Sequence, residues 1–345
     1  MKKFTTLTLC VATYCLLSCT KKTELSHLEG FAQGTTYHIS FDLKNPAEQQ
    51  VIGNEITNEL NRLDAAISNY RDDSAIEQFN AQLNTEPQIT TAEIVDLIES
   101  ARNVSKASHG CYDLTIKPLF DLWGFKKDKF NLPDDETLQQ TLTLVGMDKL
   151  ETLDKTHLRK TLPNLRVDLS SIGQGYSVGR IANILESHQV TNYLVEIGGE
   201  LKTRGKKTDG TAWRIAMEKP LANERKIEKI AVFNSGEPMS LMPSGTYRHY
   251  FDSNGKRYSH ILDARTGKPV EHNTVSVTVF NPNPTIADAW STALLCLGSE
   301  AGIKIANEND IAALYIDQNG EKITERNTQP LDAMHSITFS TAAGN

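Results

Sequence analysis

The chain has 345 residues, 39% of them hydrophobic and 23% charged, with a formal net charge of −7. That composition lies near the globular average, which excludes a disordered or fibrous chain, and the length fits one large or two small domains with enough apolar surface for an unstapled core. The acidic charge is spread without a basic block, which argues against nucleic acid as a partner, and no run of 18 apolar residues is present to form a spanning helix.

Met1-Lys2-Lys3 is a short basic start and Phe4 to Leu17 is largely apolar, the n-region and h-region of a secretory leader. It closes on Leu16-Leu17-Ser18-Cys19, which resembles the bacterial lipobox. That resemblance implies cleavage before Cys19 and lipid on Cys19. Residues 1–18 are then a leader, 19–30 a lipidated tether, 31–330 the folded domain and 331–345 a polar tail. The expected location is lipid-anchored at a cell membrane, facing the periplasm or extracytoplasmic side, because buried acyl methylenes hold the chain there. Loss of Lys2 and Lys3 makes the mature chain more acidic. Cys10 and Cys15 leave with the leader, so Cys111 and Cys296 remain in the body of the protein. A disulfide between them and a pair of buried free thiols both fit their apolar surroundings, while a Cys-x-x-Cys site is excluded.

Tyr37, Ile39, Phe41 and Leu43 alternate on one face and predict a strand over Thr36 to Leu43. Pro46 opens a helix with Ile52, Ile56, Leu60, Leu63 and Ile67 at helical spacing, and a second helix is predicted from Thr91 to Ser108. Leu165 to Leu169 reads as a short strand feeding a glycine turn and a helix over Tyr176 to Glu186. Strands follow at Tyr193 to Ile197, Trp213 to Met217, Ile230 to Asn234, Tyr247 to Phe251 and Val275 to Phe280. A helix over Ile286 to Leu297 and a closing strand over Ala312 to Ile316 complete the pattern. Helices cluster early and strands late, so the fold class is α+β.

Polar and glycine residues gather at element ends in five places. Three are ordinary turn and cap chemistry when taken singly: Gln33-Gly34-Thr35, Ser68-Asn69-Tyr70-Arg71-Asp72-Asp73-Ser74, and Gly110-Cys111-Tyr112-Asp113-Leu114. The fourth, Asp168-Leu169-Ser170-Ser171-Ile172-Gly173-Gln174-Gly175, puts a carboxylate and small residues at a helix start, where free N–H groups suit phosphate oxygens. It is neither a Walker loop nor a dinucleotide fingerprint. In the fifth, His260 precedes the Asp263-Ala264-Arg265-Thr266-Gly267 turn, and Asp288, Ser291 and Thr292 lie at i, i+3 and i+4. Three oxygen donors on one helix face suit a hard cation such as Mg²⁺, although Asp288 also fits a helix cap and His260 a structural histidine.

Together the segments QGTTYHI, SNYRDDSAI, GCYDLTIKPLFDLWGF, VDLSSIGQGYSV, YLVEIGGELKTRG, SGTYRHYF, RYSHILDARTGKP and ADAWSTALLCLG resemble the ApbE family, the FAD:protein FMN transferases, in the family's own order from Ala32 to Leu297. The resemblance implies a T-fold-like architecture of two subdomains with mixed or antiparallel sheets flanked by helices. It implies cleavage of FAD, transfer of FMN to a Thr or Ser hydroxyl of an acceptor flavoprotein, and release of AMP. The metal would map to Ser171, Asp288, Ser291 and Thr292. FAD would be held by Gln33, Tyr70, Tyr112, Asp113, Leu114, Asp168, Gln174 and Ile261. His260 would be the general base, since an imidazole ordinarily titrates near neutral pH. The family commonly has Met in place of Gln33, Glu in place of Gln174 and a carboxylate in place of Ser291. The acceptors implied are flavin-bearing subunits of Rnf-type or sodium-pumping NADH:quinone reductase complexes. Two alternatives share the same site: a Mg²⁺-dependent FAD pyrophosphatase, and a periplasmic FAD-binding lipoprotein.

Overall fold

The computed structural model describes residues 25–125, 129–218, 227–247, 249–253 and 255–341. The expected leader, residues 1–18, and Cys19 lie outside the described residues. In chain order the elements are β1 (Leu25–Ala32), β2 (Thr35–Asp42), α1 (Gln49–Ile67), α2 (Ala75–Ala81), β3 (Gln88–Ile89), α3 (Ala92–Ala107), α4 (Lys117–Trp123), α5 (Asp135–Leu142), β4 (Leu150–Thr152) and β5 (His157–Lys160). Next come α6 (Gly173–Ser187), β6 (Tyr193–Ile197), β7 (Glu200–Arg204), β8 (Trp213–Glu218), β9 (Ile227–Phe233), β10 (Met239–Gly245), β11 (Tyr250–Ser253), β12 (Lys256–Ser259), β13 (Leu262–Asp263) and β14 (Lys268–Pro269). The chain ends with β15 (Thr274–Asn281), α7 (Pro284–Glu308), β16 (Ala312–Asn319), β17 (Lys322–Asn327), α8 (Gln329–Asp332) and β18 (Ile337–Thr341).

Among the described residues, eight strands form one antiparallel sheet in the order β1-β2-β6-β7-β10-β15-β16-β17. One face carries α1, α3, α6 and α7, whose Ile56, Leu60, Leu97, Ile181 and Leu294 share a core with Val195, Val277 and Val279. The other face packs Leu201, Leu241, Phe280 and Leu314 against Trp213, Ala231 and Phe233 of the three-stranded sheet β18-β9-β8. Because both faces are covered, β15 is buried along nearly its whole length instead of alternating. A third cluster joins α4 and α5 to the β13 region through Leu119, Trp123, Leu138 and Leu262. The α+β class holds.

Several boundaries differ from expectation for local reasons. β1 pairs with β2 from Leu25↔Asp42 onward, so residues 25–30 of the expected tether belong to the folded sheet. The expected tail contains β18, which pairs Ile337 with Phe233 and buries Ile337 beside Leu331. β16 is not the closing strand, since β17 and β18 follow it. α7 breaks at Gly298 (φ 71°) next to the His272 ring and then runs on to Glu308, so the predicted helix is its first half.

The clearest correction is at 165–169. Leu165, Val167 and Leu169 are buried and Arg166 and Asp168 half-buried, in keeping with the alternation, yet this stretch belongs to no sheet. Two buried asparagines serve as its partners. Asn80 donates to the Val167 carbonyl at 2.8 Å and accepts from the Val167 N–H at 2.7 Å. Asn69 donates to the same carbonyl at 2.9 Å and accepts from Leu169 N–H at 2.6 Å. Asp168 N–H donates to the Leu114 carbonyl at 2.7 Å. Removing Asn80 orphans a buried backbone donor, so Asn80→Ala is expected to cost about 2–3 kcal/mol; urea unfolding with the midpoint unchanged would refute this account of the segment.

Candidate active site

The supported segment delivers Ser170, Ser171 and Gln174 to a cavity of about 240 Å³ that also has Tyr112, Asp113, Glu200, Ser244, His260, Ile261, Asp288 and Thr292 in its walls. An adjoining open cleft of about 720 Å³ is lined by Gln33, Ser68, Tyr70, Arg71, Ser170, Gln174 and His260. Ser170, Gln174 and His260 belong to both, so they stand at the junction. Volumes of several hundred Å³ are those of small-ligand sites.

Asp288 sits in the first turns of α7, which starts at Pro284 with Asn283 as its side-chain cap. Its carboxylate accepts from the Gly175 N–H at 2.8 Å. Gly175 is needed for that approach, because a Cβ there would lie 2.5 Å from the Pro284 carbonyl oxygen and 2.6 Å from Asp288 Cβ. Burial pushes the Asp288 carboxyl up to about 7, with the Gly175 N–H opposing the rise. Burial likewise raises Asp113 and Asp168.

His260 Nδ1 lies 2.8 Å from the His249 carbonyl oxygen. A carbonyl only accepts, so Nδ1 carries the hydrogen, and the neutral ring keeps its lone pair on Nε2. The His249 ring lies 5.5 Å away between centroids and packs in turn on Phe125 and Phe251.

Of the predicted residues, Tyr112, Asp113, Ser171, Gln174, His260, Ile261, Asp288 and Thr292 meet around the cavity, while Gln33 and Tyr70 line the cleft. Asp168 lines a recess beside Tyr70, Ser170 and His260. Three of the predicted residues are engaged elsewhere in the fold. Leu114 is buried in the core and contributes its carbonyl to Asp168 N–H, because its side chain completes the packing beneath the loop. The Asp113 carboxylate is occupied by its own loop, accepting from Thr115 N–H at 2.7 Å and from Met147 N–H at 2.9 Å. Ser291 is fully buried and donates back to the Asp288 carbonyl at 2.8 Å, with the Ser244 hydroxyl 2.8 Å away, so it braces α7 rather than lining the cavity. Sequence patterns missed Glu200, Ser244 and His249. Glu200 and Ser244 lie in β7 and β10, two strands that the apolar pattern did not predict, although Gly198-Gly199 beside Glu200 marked an unusual turn. Cys111 and Cys296 form a disulfide, the first of the two alternatives that their apolar surroundings left open.

A divalent cation fits this donor set. Glu200 and Asp288 both line the cavity, and Asp288 brings a buried carboxyl to its wall. Asp288 and the Thr292 hydroxyl, with Ser171 nearby in the wall, are hard oxygen donors. Ser244 lies 3.3 Å from Thr292 Oγ1 and orients that hydroxyl.

A proton-accepting imidazole beside an acidic cavity suited to a cation equips an enzyme that moves a phosphorus-linked group between oxygens. The chain matches the model of the ApbE family over residues 33–315, and it belongs to that family. It is 36% identical over 314 residues to the FAD:protein FMN transferase of Vibrio cholerae, covering 90% of this chain and 92% of that one. It is 38% identical over 312 residues to the FAD:protein FMN transferase of Haemophilus influenzae, covering 87% and 89%. The fold matches the flavin transferase ApbE from Vibrio cholerae at a TM-score of 0.82 with 33% identity, over 90% of this chain and 99% of that one. Pseudomonas stutzeri flavinyl transferase ApbE in its apo form gives a TM-score of 0.82 at 34% identity, over 91% and 98%.

The acid shift has a measurable consequence. Without a cation, between about pH 4 and 7, Asp288 keeps its proton when folded and loses it when unfolded, so its contribution to stability falls as pH rises through that window and levels off above it. Asp288→Asn should flatten that part of the slope by at most about 1.4 kcal/mol per pH unit. Thermal unfolding in chelator across pH 4–8 checks it, and added Mg²⁺ should raise the wild-type midpoint more at pH 8 than at pH 5.

Proposed function

We propose that this chain is an FAD:protein FMN transferase that cleaves FAD at its pyrophosphate and joins FMN through a phosphoester to a Ser or Thr hydroxyl of an acceptor flavoprotein, releasing AMP. The observation that carries the reading is His260: a half-buried imidazole whose Nδ1–H is committed to the His249 carbonyl, placed where cavity and cleft join. Its Nε2 takes the acceptor hydroxyl proton as the new P–O bond forms and the bond to AMP breaks. The cleft gives a protein hydroxyl access from solvent, and Tyr70, 75% exposed at its edge, offers an aromatic face to a flavin ring. Gln33 and Gln174 contribute amide groups to the same wall.

Asp288 and Thr292, with Ser171, would hold Mg²⁺, which when bound neutralises charge on the pyrophosphate and the departing AMP. Ser291 acts behind them as a brace. Burial of Tyr112, whose phenol is pushed well up by it, keeps this residue neutral in the cavity wall.

The reading extends to place and partner. The LLSC segment supports lipid on Cys19 and an extracytoplasmic, periplasm-facing enzyme held at a membrane. Its acceptors would be the flavin-bearing subunits of Rnf-type or sodium-pumping NADH:quinone reductase complexes.

The test is to incubate the leaderless chain with FAD, Mg²⁺ and a peptide carrying a Ser/Thr flavinylation motif, then weigh the peptide. A gain of one FMN-yl group is expected, with His260→Ala slower by roughly 10²–10⁴-fold. AMP accumulating over an unmodified peptide would mean a pyrophosphatase instead, and stoichiometric FAD binding without turnover a flavin carrier.

A further inference from the structure

The Cys111–Cys296 disulfide joins two walls of the cavity across 185 residues of sequence, with Cα atoms 6.0 Å apart, and neither sulfur takes part in the proposed chemistry. Cys296 lies one turn beyond Thr292 and two turns beyond Asp288 on α7, so all three share one helix face. Cys111 directly precedes Tyr112 and sits in a loop shaped by two successive left-handed residues, His109 (φ 54°) and Gly110 (φ 79°). The hydrogen bonds of that loop run back to α3, from Gly110 N–H to the Ser105 carbonyl and from Tyr112 N–H to Ser108 Oγ, and across from Ala264 N–H to the Cys111 carbonyl. Its covalent tie to α7 is the disulfide. Both cysteines are buried, yet both line the cavity together with Tyr112, Asp288 and Thr292.

We propose that this disulfide is a redox-sensitive positioning element of the FAD site: oxidised, it holds Tyr112 at a set spacing from the Asp288–Thr292 face of α7, and reduced, it lets that wall relax and weakens ligand binding. The inference rests on the FAD reading given above. A dithiol reductant supplies the chemistry. One of its thiolates attacks Cys296 Sγ, the S–S bond breaks with Cys111 as the leaving thiolate, and the second thiol closes the reductant's own disulfide. Two electrons and two protons end on Cys111 and Cys296. The Arg265 guanidinium, 3.4 Å from Cys111 Sγ and held by Asp263, favours Cys111 as the leaving group. A ligand filling the cavity covers both sulfurs. Because the oxidised form is the one that binds FAD more tightly in this proposal, oxidation and FAD binding favour each other by the same factor.

The test uses the whole protein, air-oxidised or reduced with dithiothreitol. FAD is expected to bind about tenfold more weakly to the reduced form, within the usual range of such coupling. Saturating FAD should shift disulfide opening, read by thiol alkylation and mass, toward stronger reduction by the same factor. Amide exchange over residues 109–116 should speed on reduction. The double variant Cys111→Ser with Cys296→Ser should bind FAD like the reduced form and ignore dithiothreitol. Equal FAD affinity in both redox states with only a lower melting temperature would make the disulfide a purely structural staple and overturn the proposal, as would free thiols in the air-oxidised protein. Should neither form bind FAD while exchange over 109–116 still speeds on reduction, the FAD reading fails and the positioning of this loop on α7 stands.

Discussion

The site depends on burying one extended segment that has no neighbouring strand. A backbone taken from water must find hydrogen-bond partners, and most buried extended segments find them in a sheet. Here Asn69 and Asn80 present side-chain amides in the geometry of a missing strand, each pairing both a carbonyl and an N–H of residues 167–169. Leaving the sheet frees the segment to run from the core to the start of α6, so that Asp168, Ser170 and Ser171 reach the recess and cavity. The asparagines are themselves held by Glu77, whose carboxylate accepts from both at 2.7 and 3.2 Å. Glu77 also pairs with the buried Lys117 at 3.4 Å. A polar network of this kind is stabilising only while all its members are satisfied.

A second constraint is the contact of α6 with α7. Gly175 brings the start of α6 against Asp288 so closely that its N–H reaches the carboxylate, and the positive end of a helix faces a buried acid. That contact is insufficient to offset burial, because the carboxyl is still held near neutrality. The fold therefore stores an acid that ionises most readily when something positive arrives.

Much of this was legible in the residues. The helical spacing of Ile52, Ile56, Leu60 and Leu63 and the strand from Tyr193 to Ile197 depend on periodicity alone, and both formed where expected. Gln174 and the Asp288–Thr292 face also meet at one cavity, a convergence that the family resemblance implied and that spacing alone does not give. What failed was decided at long range. Val167 alternates like any strand residue, and its asparagine partners are 87 and 98 positions away. Ser291 and Thr292 are adjacent and both hydroxyls reach Ser244, so only the tertiary packing of α7 leaves Thr292, and not Ser291, in the cavity wall. Asp113 was legible as functional and as a cap, and Met147, distant in sequence, completed the second role.

The departures from the family pattern acquire a physical sense in this frame. A carboxylate in place of Ser291 would be fully buried one turn from Asp288, and two like charges there could not both ionise without a cation between them. The hydroxyl instead bridges Ser244 and the Asp288 carbonyl, stiffening the helix turn that carries the remaining acid. Gln33 follows the same logic. Ser177 Oγ spends its own hydrogen on the Gly173 carbonyl, so it accepts from Gln33 Nε2 at 2.7 Å, which fixes the Gln33 amide orientation. Its φ of 52° places it in the tight β1–β2 turn at the mouth of the cleft. A neutral amide and a neutral hydroxyl thus stand where thioether and charge are common, and the ionic work of the site falls more heavily on Asp288.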